Sequence, residues 1–310
     1  MFKVKKLDKK YLSMIDKYLK DHCRLLEKKL FEYYFKDAKP KEVVNALKLY
    51  QNQDGGFGQG LESDFRMPDS SPMATSIGVR ILKDFDSSKK SKMMLRRAVK
   101  FFESSFDENR HGWYALTEVV NDYPHTPWWH FDEEKGMTVI DENWGNPSAE
   151  IIAYLYKYHS YLNKLDVKEL VSHAIERLNN KKEFNSENEV SCYIELYKVL
   201  PKNVKQEMYE PLSNAISDVI EYDEDKWREY VPLPLNFISS PSDEFFDIEK
   251  EKIEKNLDLY IDLIEENTVI NPPWGKSFYT EGLKRAYNEW KGVLTVHALK
   301  VLDNFNRIEK

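Results

Sequence analysis

Leu49-Tyr50-Gln51-Asn52-Gln53-Asp54-Gly55-Gly56-Phe57-Gly58-Gln59-Gly60 is the stretch whose reading decides the fold. Four of the 11 glycines in the chain fall in its last six residues. Physically this is a helix end: glycine supplies the left-handed conformation after the last turn, and an amide side chain satisfies carbonyls left unpaired there. Phe57 is expected to pack back on the helix the chain has just left. A nucleotide-binding glycine loop is the competing reading, but no strand precedes the stretch and no Gly-Lys-Ser/Thr follows it. Weaker versions of the turn recur at Asn109-Arg110-His111-Gly112-Trp113, Asn143-Trp144-Gly145 and Asn271-Pro272-Pro273-Trp274-Gly275.

Helical periodicity surrounds these turns. One helix type starts after Pro68-Asp69-Ser70-Ser71-Pro72 with Ala74, Ile77, Gly78, Ile81, Leu82 and Phe85 on one face, and a second starts at Asn146-Pro147-Ser148 with Ile151, Ile152, Leu155, Tyr158 and Leu162. A third carries Val190, Tyr193, Ile194, Tyr197 and Leu200, and a last one Leu294, Ala298, Val301, Leu302 and Phe305. More polar amphipathic helices are expected at 40–52, 90–106, 165–180, 202–221 and 248–266. Leu82, Leu155, Leu200 and Leu302 are separated by 73, 45 and 102 residues. A repeat of about 45 residues explains this if the first gap holds a long loop insertion, 107–146, and the last spans two repeats. Helix pairs that cannot bury a face alone must stack or close into a ring. No Gly/Ser linker divides the chain, and Val231-Pro232-Leu233-Pro234 reads as a loop within a repeat.

Composition narrows the class. Of 310 residues, 41% are hydrophobic and 32% charged, which excludes collagen-like, disordered and transmembrane chains. Aromatic content of 14% exceeds what packing usually draws on, and such rings line pockets. The net charge of −7 argues against a nucleic-acid partner. Residues 1–42 nevertheless carry 13 Lys and Arg against 7 Asp and Glu, so a basic N-terminal helix is expected at about 8–35, its cations on a solvated face. Cys23 and Cys192 make neither a disulfide framework nor a Cys-x-x-Cys pair, which fits a reducing, cytoplasmic compartment. No apolar stretch follows the charged start Met1-Phe2-Lys3-Val4-Lys5-Lys6-Leu7-Asp8, so no signal peptide is expected.

Gln51 to Gly58 resembles the Gln-and-Trp repeat of the terpenoid cyclase and protein prenyltransferase superfamily. With Gly60-Leu61-Glu62-Ser63-Asp64, Pro68-Asp69-Ser70-Ser71-Pro72, Pro127-Trp128-Trp129-His130, Asn146-Pro147-Ser148-Ala149-Glu150 and Glu289-Trp290-Lys291-Gly292, the chain is similar to a bacterial group described as prenyltransferase-like or squalene-cyclase-like. The resemblance implies an all-α fold, an α/α toroid of inner and outer helices over 1–310 as a single domain, and an isoprenoid or other apolar substrate. The chemistry departs from the pattern. The Asp-x-Asp-Asp acid of class II cyclases aligns with Asp69-Ser70-Ser71-Pro72, which puts Ser71 at the acid position, and a serine hydroxyl cannot protonate an alkene. Asp223-Glu224-Asp225 reads as a solvated turn. The prenyltransferase zinc set of Asp, Cys and His is matched only by Cys192 and His297, both on apolar helix faces, with Val190 where the Asp would stand.

Inner helices of such a ring start from one end, so their loops gather round one mouth. Glu62, Asp64 and Asp69 precede the first inner helix; His125, Trp128, Trp129, His130 and Asp132 lie in the insertion; Asn146 and Glu150 begin the second inner helix. Glu150, Asp64, Asp69, His125 and His130 are the catalytic candidates, and Trp128, Trp129, Trp144, Asn146, Trp274 and Trp290 the substrate-binding ones. Glu150, one turn inside an apolar helix, suits a general acid or base; the structural readings, which together weigh more, are a helix N-terminal carboxylate favoured by the dipole and a buried hydrogen-bond acceptor for a neighbouring hairpin. His125-x4-His130-x-Asp132 has metal-ligand residue types without a helix-borne signature, so no metal is assigned, zinc is not favoured and no cofactor is named. Three functions stay open: an enzyme on an apolar substrate, a carbohydrate-active enzyme with paired carboxylates and Trp stacking, and a non-catalytic binding toroid. The partner is then a small apolar or sugar molecule, with no nucleic acid and no membrane span.

Overall fold

Gln51 ties its turn together in a way the sequence only half indicates. Its side-chain amide donates to the Gly55 carbonyl at 2.9 Å and, at 2.9 Å, to the Met94 carbonyl of a helix 43 residues on. Gly55 takes the left-handed conformation the turn needs (φ 100°). Phe57 is fully buried, its ring lies against the helix that follows the turn, and its N–H donates to Thr75 Oγ1 at 2.9 Å. A Cβ on Gly78 would lie 2.6 Å from its ring. The missing side chain at Gly78 is the reason the ring fits there, and burying it contributes about 2–3 kcal/mol.

The computed structural model describes residues 4–309, of which helix makes up 59% of the chain and strand 4%, an all-α fold. Met1, Phe2 and Lys3 of the N-terminal stretch lie outside the described residues. The α-helices are α1 (Lys10–His22), α2 (Leu25–Phe35), α3 (Pro40–Leu47), α4 (Pro72–Leu82), α5 (Lys89–Ser104), α6 (Gly145–Lys157), α7 (Val167–Asn180), α8 (Glu187–Val199), α9 (Lys202–Val219), α10 (Pro234–Phe237), α11 (Lys250–Asn267) and α12 (Ala286–Asn304). The single basic helix expected at 8–35 is two helices, because Cys23 and Arg24 are extended (ψ 170° and 159°). Arg24 then folds its guanidinium onto Glu27 in the first turn of α2, at 2.7 and 3.0 Å.

The chain divides into two compact units, 47–219 and the remainder, with the first boundary at the end of α3. In the 47–219 unit α4, α6 and α8 form one row, buried on nearly every face, while α5, α7 and α9 pack on them as the more polar layer. Each inner helix is started by local chemistry. Ser71 Oγ accepts the Ala74 N–H at 3.1 Å ahead of Pro72, Ser186 Oγ accepts the Glu189 N–H at 3.3 Å, and Pro147 follows the non-helical Asn146. Between α5 and α6 the chain makes only short 3-10 turns and a two-residue hairpin, β1 (Phe131–Asp132) with β2 (Met137–Thr138), Phe131 opposite Thr138.

In the other unit α2 packs on α1 and α12, and α11 on α10 and α12. The Glu289–Gly292 motif works structurally there: a Cβ on Gly292 would meet Cys23 Sγ at 3.0 Å, and Glu289 lies 4.0 Å from Arg24. Leu7 and Ile308 pair in parallel, and the buried Arg307 joins both ends of the chain to α11 through Glu254 and Asp258. No helix among the described residues is long and apolar enough to cross a membrane.

Candidate active site

After Gly60 the segment 61–65 is buried at every residue and runs beside the insertion. Arg66 N–H donates to the Pro124 carbonyl and Thr126 N–H to the Asp64 carbonyl, both at 2.9 Å, so Phe65 faces His125 in an antiparallel bridge. Pro124 and Pro127 bracket this contact, and since proline has no N–H the pairing cannot extend past it. Pro127 opens a 3-10 turn to Trp129 that swings the Trp129 ring edge-on to Phe65, 5.5 Å between centroids, and returns His130 to His125.

His125 and His130 are linked through their rings, Nε2 of the first 3.2 Å from Nδ1 of the second. His125 Nδ1 lies 2.7 Å from the Tyr123 carbonyl. A carbonyl only accepts, so Nδ1 of His125 carries the hydrogen and Nε2 of the neutral ring offers its lone pair. His130 Nδ1–H donates to it, and His130 Nε2 is left as an oriented base on an exposed residue. The facing segment carries two buried carboxylates, Glu62 (6% exposed) and Asp64 (3%), with Glu62 Oε1 accepting the Asp64 N–H at 3.1 Å.

Three buried polar atoms of these paired loops have no hydrogen-bond partner: Ser63 Oγ, Thr126 Oγ1 and Trp129 Nε1. Their residues are 1%, 0% and 6% exposed. Only two other buried side-chain nitrogens or oxygens among the described residues share that condition, so the loop pair concentrates it. The structure thus brings Asp64, His125, Trp128, Trp129 and His130 into one pair of loops, with Asp69 exposed further along toward α4. Ser63, Thr126 and Tyr123 were not singled out by sequence. Ser63 sits between the two acids and Thr126 between the two prolines, the only sequence signals that mark them.

Glu150 occupies a different setting. It is 1% exposed and accepts from Arg80 Nε and Nη2 at 2.6 and 2.7 Å and from the Tyr154 hydroxyl at 2.5 Å. Burial and the Glu150 charge together hold the Tyr154 hydroxyl well above the usual phenol range. Lys83, one turn on from Arg80, pairs with Glu195 of α8. Burial opposes the Glu195 charge, but Lys198 and Lys83 outweigh it and bring its carboxyl down to about 2. At the start of α8, burial pushes Glu187 up to about 7, a value suited to proton transfer that the charge-rich sequence around it does not advertise.

The remaining candidates are engaged in packing. Trp144 is buried, donates Nε1–H to the Arg110 carbonyl at 3.2 Å and has the Arg177 guanidinium 4.9 Å from its ring. Asn146 Oδ1 accepts from Cys192 Sγ at 3.8 Å. Trp274 and Trp290 belong to the other unit, ring edge to ring face at 5.2 Å, with Trp274 Nε1–H donating to the Tyr279 hydroxyl. Asp132 Oδ1 closes its own turn by accepting the Glu134 and Lys135 N–H groups. No group of three or more His, Cys, Asp or Glu among the described residues is placed to hold a metal ion. Burial raises both thiols, Cys23 to about 12, so neither is a thiolate near neutral pH. His297 is exposed on α12, not on an apolar face as its sequence position suggested. Comparison with protein-family models, curated proteins and solved structures gave no match.

Proposed function

We propose that the chain is an enzyme that acts on a small molecule by general acid/base chemistry at the 61–66 and 123–130 loops, with His130 Nε2 as the base. The observation that carries this reading is the Tyr123–His125–His130 relay, which leaves one lone pair oriented at the surface of the loop pair. Asp64 and Glu62 are the buried carboxylates of the facing segment. Glu150 has a different task in this reading: with its oxygens taken by Arg80 and Tyr154, it anchors α4 to α6. We further propose that the hairpins α4/α5, α6/α7 and α8/α9 are part of an α/α toroid like that of terpenoid cyclases and protein prenyltransferases. The inner row and outer layer of the 47–219 unit and the Gln51 tie between turn and outer helix support this.

The test is consumption of a defined mixture of neutral sugars, polyols and isoprenoid alcohols, followed by mass spectrometry. The wild-type chain is expected to convert one component, and His130→Gln to do so at least about 100-fold more slowly at an unchanged melting temperature. Equal rates for the two proteins would end the proposal.

A further inference from the structure

We infer that the paired loops take a neutral, hydroxyl-bearing ligand, a sugar or polyol, whose oxygens meet Ser63 Oγ, Thr126 Oγ1 and Trp129 Nε1; this rests on the acid/base reading of the same loops. The argument starts from cost. A buried polar atom without a partner destabilises a fold, and natural proteins keep few of them. Here three fall within two short segments joined by the Thr126 to Asp64 backbone bond. None of the three pairs with another, so the loops do not satisfy them internally.

The donor and acceptor inventory narrows the ligand. An indole N–H only donates, so Trp129 requires an acceptor oxygen. The two hydroxyls can donate or accept, which a ligand hydroxyl answers in either sense. An apolar isoprenoid chain would leave all three atoms unpartnered and add its own bulk. Across residues 61–66 and 123–130 the one lysine or arginine, Arg66, stands against Glu62 and Asp64, so the loops carry no surplus of cations to draw an anion. A neutral molecule with several hydroxyls meets every requirement, and it presents the O–H protons on which a base at His130 would act.

Isosteric variants separate a ligand role from a structural one. Thr126→Val removes a hydroxyl that nothing in the fold uses, so its melting temperature should be equal to or above that of the wild type. Binding is read from the indole N–H resonances of the seven tryptophans, that of Trp129 being identified by its loss in Trp129→Phe. The probes are glucose, trehalose and myo-inositol, with inorganic phosphate and geraniol as the anionic and isoprenoid alternatives. At least one of the neutral probes should shift the Trp129 resonance saturably, and Thr126→Val should weaken that binding about tenfold or more. The inference is overturned if none of the three moves the resonance, if phosphate or geraniol moves it in preference, or if Thr126→Val binds as wild type or melts lower. The two readings fail separately. Sugar binding without conversion overturns the enzyme and keeps the ligand class; conversion dependent on His130 without sugar binding does the reverse.

Discussion

Replacing Arg80 by leucine tests whether the buried carboxylate of α6 is held by its ion pair. Glu150 is 1% exposed and accepts three hydrogen bonds, two of them from Arg80. Arg80→Leu leaves a buried charge with the Tyr154 hydroxyl alone, and breaking a buried pair from one side costs about 3–5 kcal/mol. The Arg80 side chain is itself 49% exposed, so solvent screens part of the loss and the lower end, about 3 kcal/mol, applies. At about 2–4 °C per kcal/mol for a unit of this size, the melting temperature should fall by about 6–12 °C. Arg80→Leu/Glu150→Leu removes the orphaned charge with its partner and should recover to within about 1 kcal/mol of wild type. Calorimetry of the wild type, both single variants and the double variant closes the cycle. A single variant melting within about 2 °C of wild type, or a double variant as unstable as Arg80→Leu, would refute the anchoring role.

Other residues give sharper local tests. Gly58→Ala would place a Cβ 2.2 Å from the Asp69 carbonyl oxygen and 2.5 Å from that of Pro68, so backbone must move; thermal melts should show a loss of about 1–3 kcal/mol or more. Ser71→Ala removes the cap of α4 and should cost about 1 kcal/mol by urea titration, with an unchanged m-value. Glu187, raised to about 7 by burial, keeps its proton in the fold at pH values where the unfolded chain has lost it. Wild-type stability should therefore fall as pH rises from about 4.5 to about 7, while Glu187→Gln, which cannot ionise, does not share that fall. Parallel stability curves across that window would show that burial does not raise this group.

Much of the helix plan is legible in the sequence because it is local. The 3.6-residue period marks α4 and α8, Ser71 and Pro72 mark the start of α4, and the glycines after Gln51 mark the turn, whereas the Ser186 cap of α8 is found only in the structure. The break between α1 and α2 is not legible, since neither Gly nor Pro stands at Cys23-Arg24 and apolar residues continue across it. The direction of Phe57 depends on the absent Cβ of Gly78, 21 residues later. The site is harder still. The acids and the histidines can be picked out by type, and the structure places Asp64, His125 and His130 in one loop pair. Which of them meet depends on backbone bonds between segments about 60 residues apart. Arg80 and Glu150 are 70 residues apart, and no local pattern announces their pair. The unpartnered Ser63, Thr126 and Trp129 atoms are invisible in sequence, because burial without a partner is a property of the assembled loops.

The most direct test of the account is the tautomer of His125 and His130, read by nitrogen-15 NMR of histidine-labelled protein slightly above neutral pH. The relay requires both rings in the Nδ1–H form, with Nε2 of His130 unprotonated, although free histidine in water favours the other tautomer. Two Nδ1–H rings, with His130 reverting to the ordinary mixture in His125→Phe, would match the oriented base. An Nε2–H form at either histidine in the wild-type protein would contradict it.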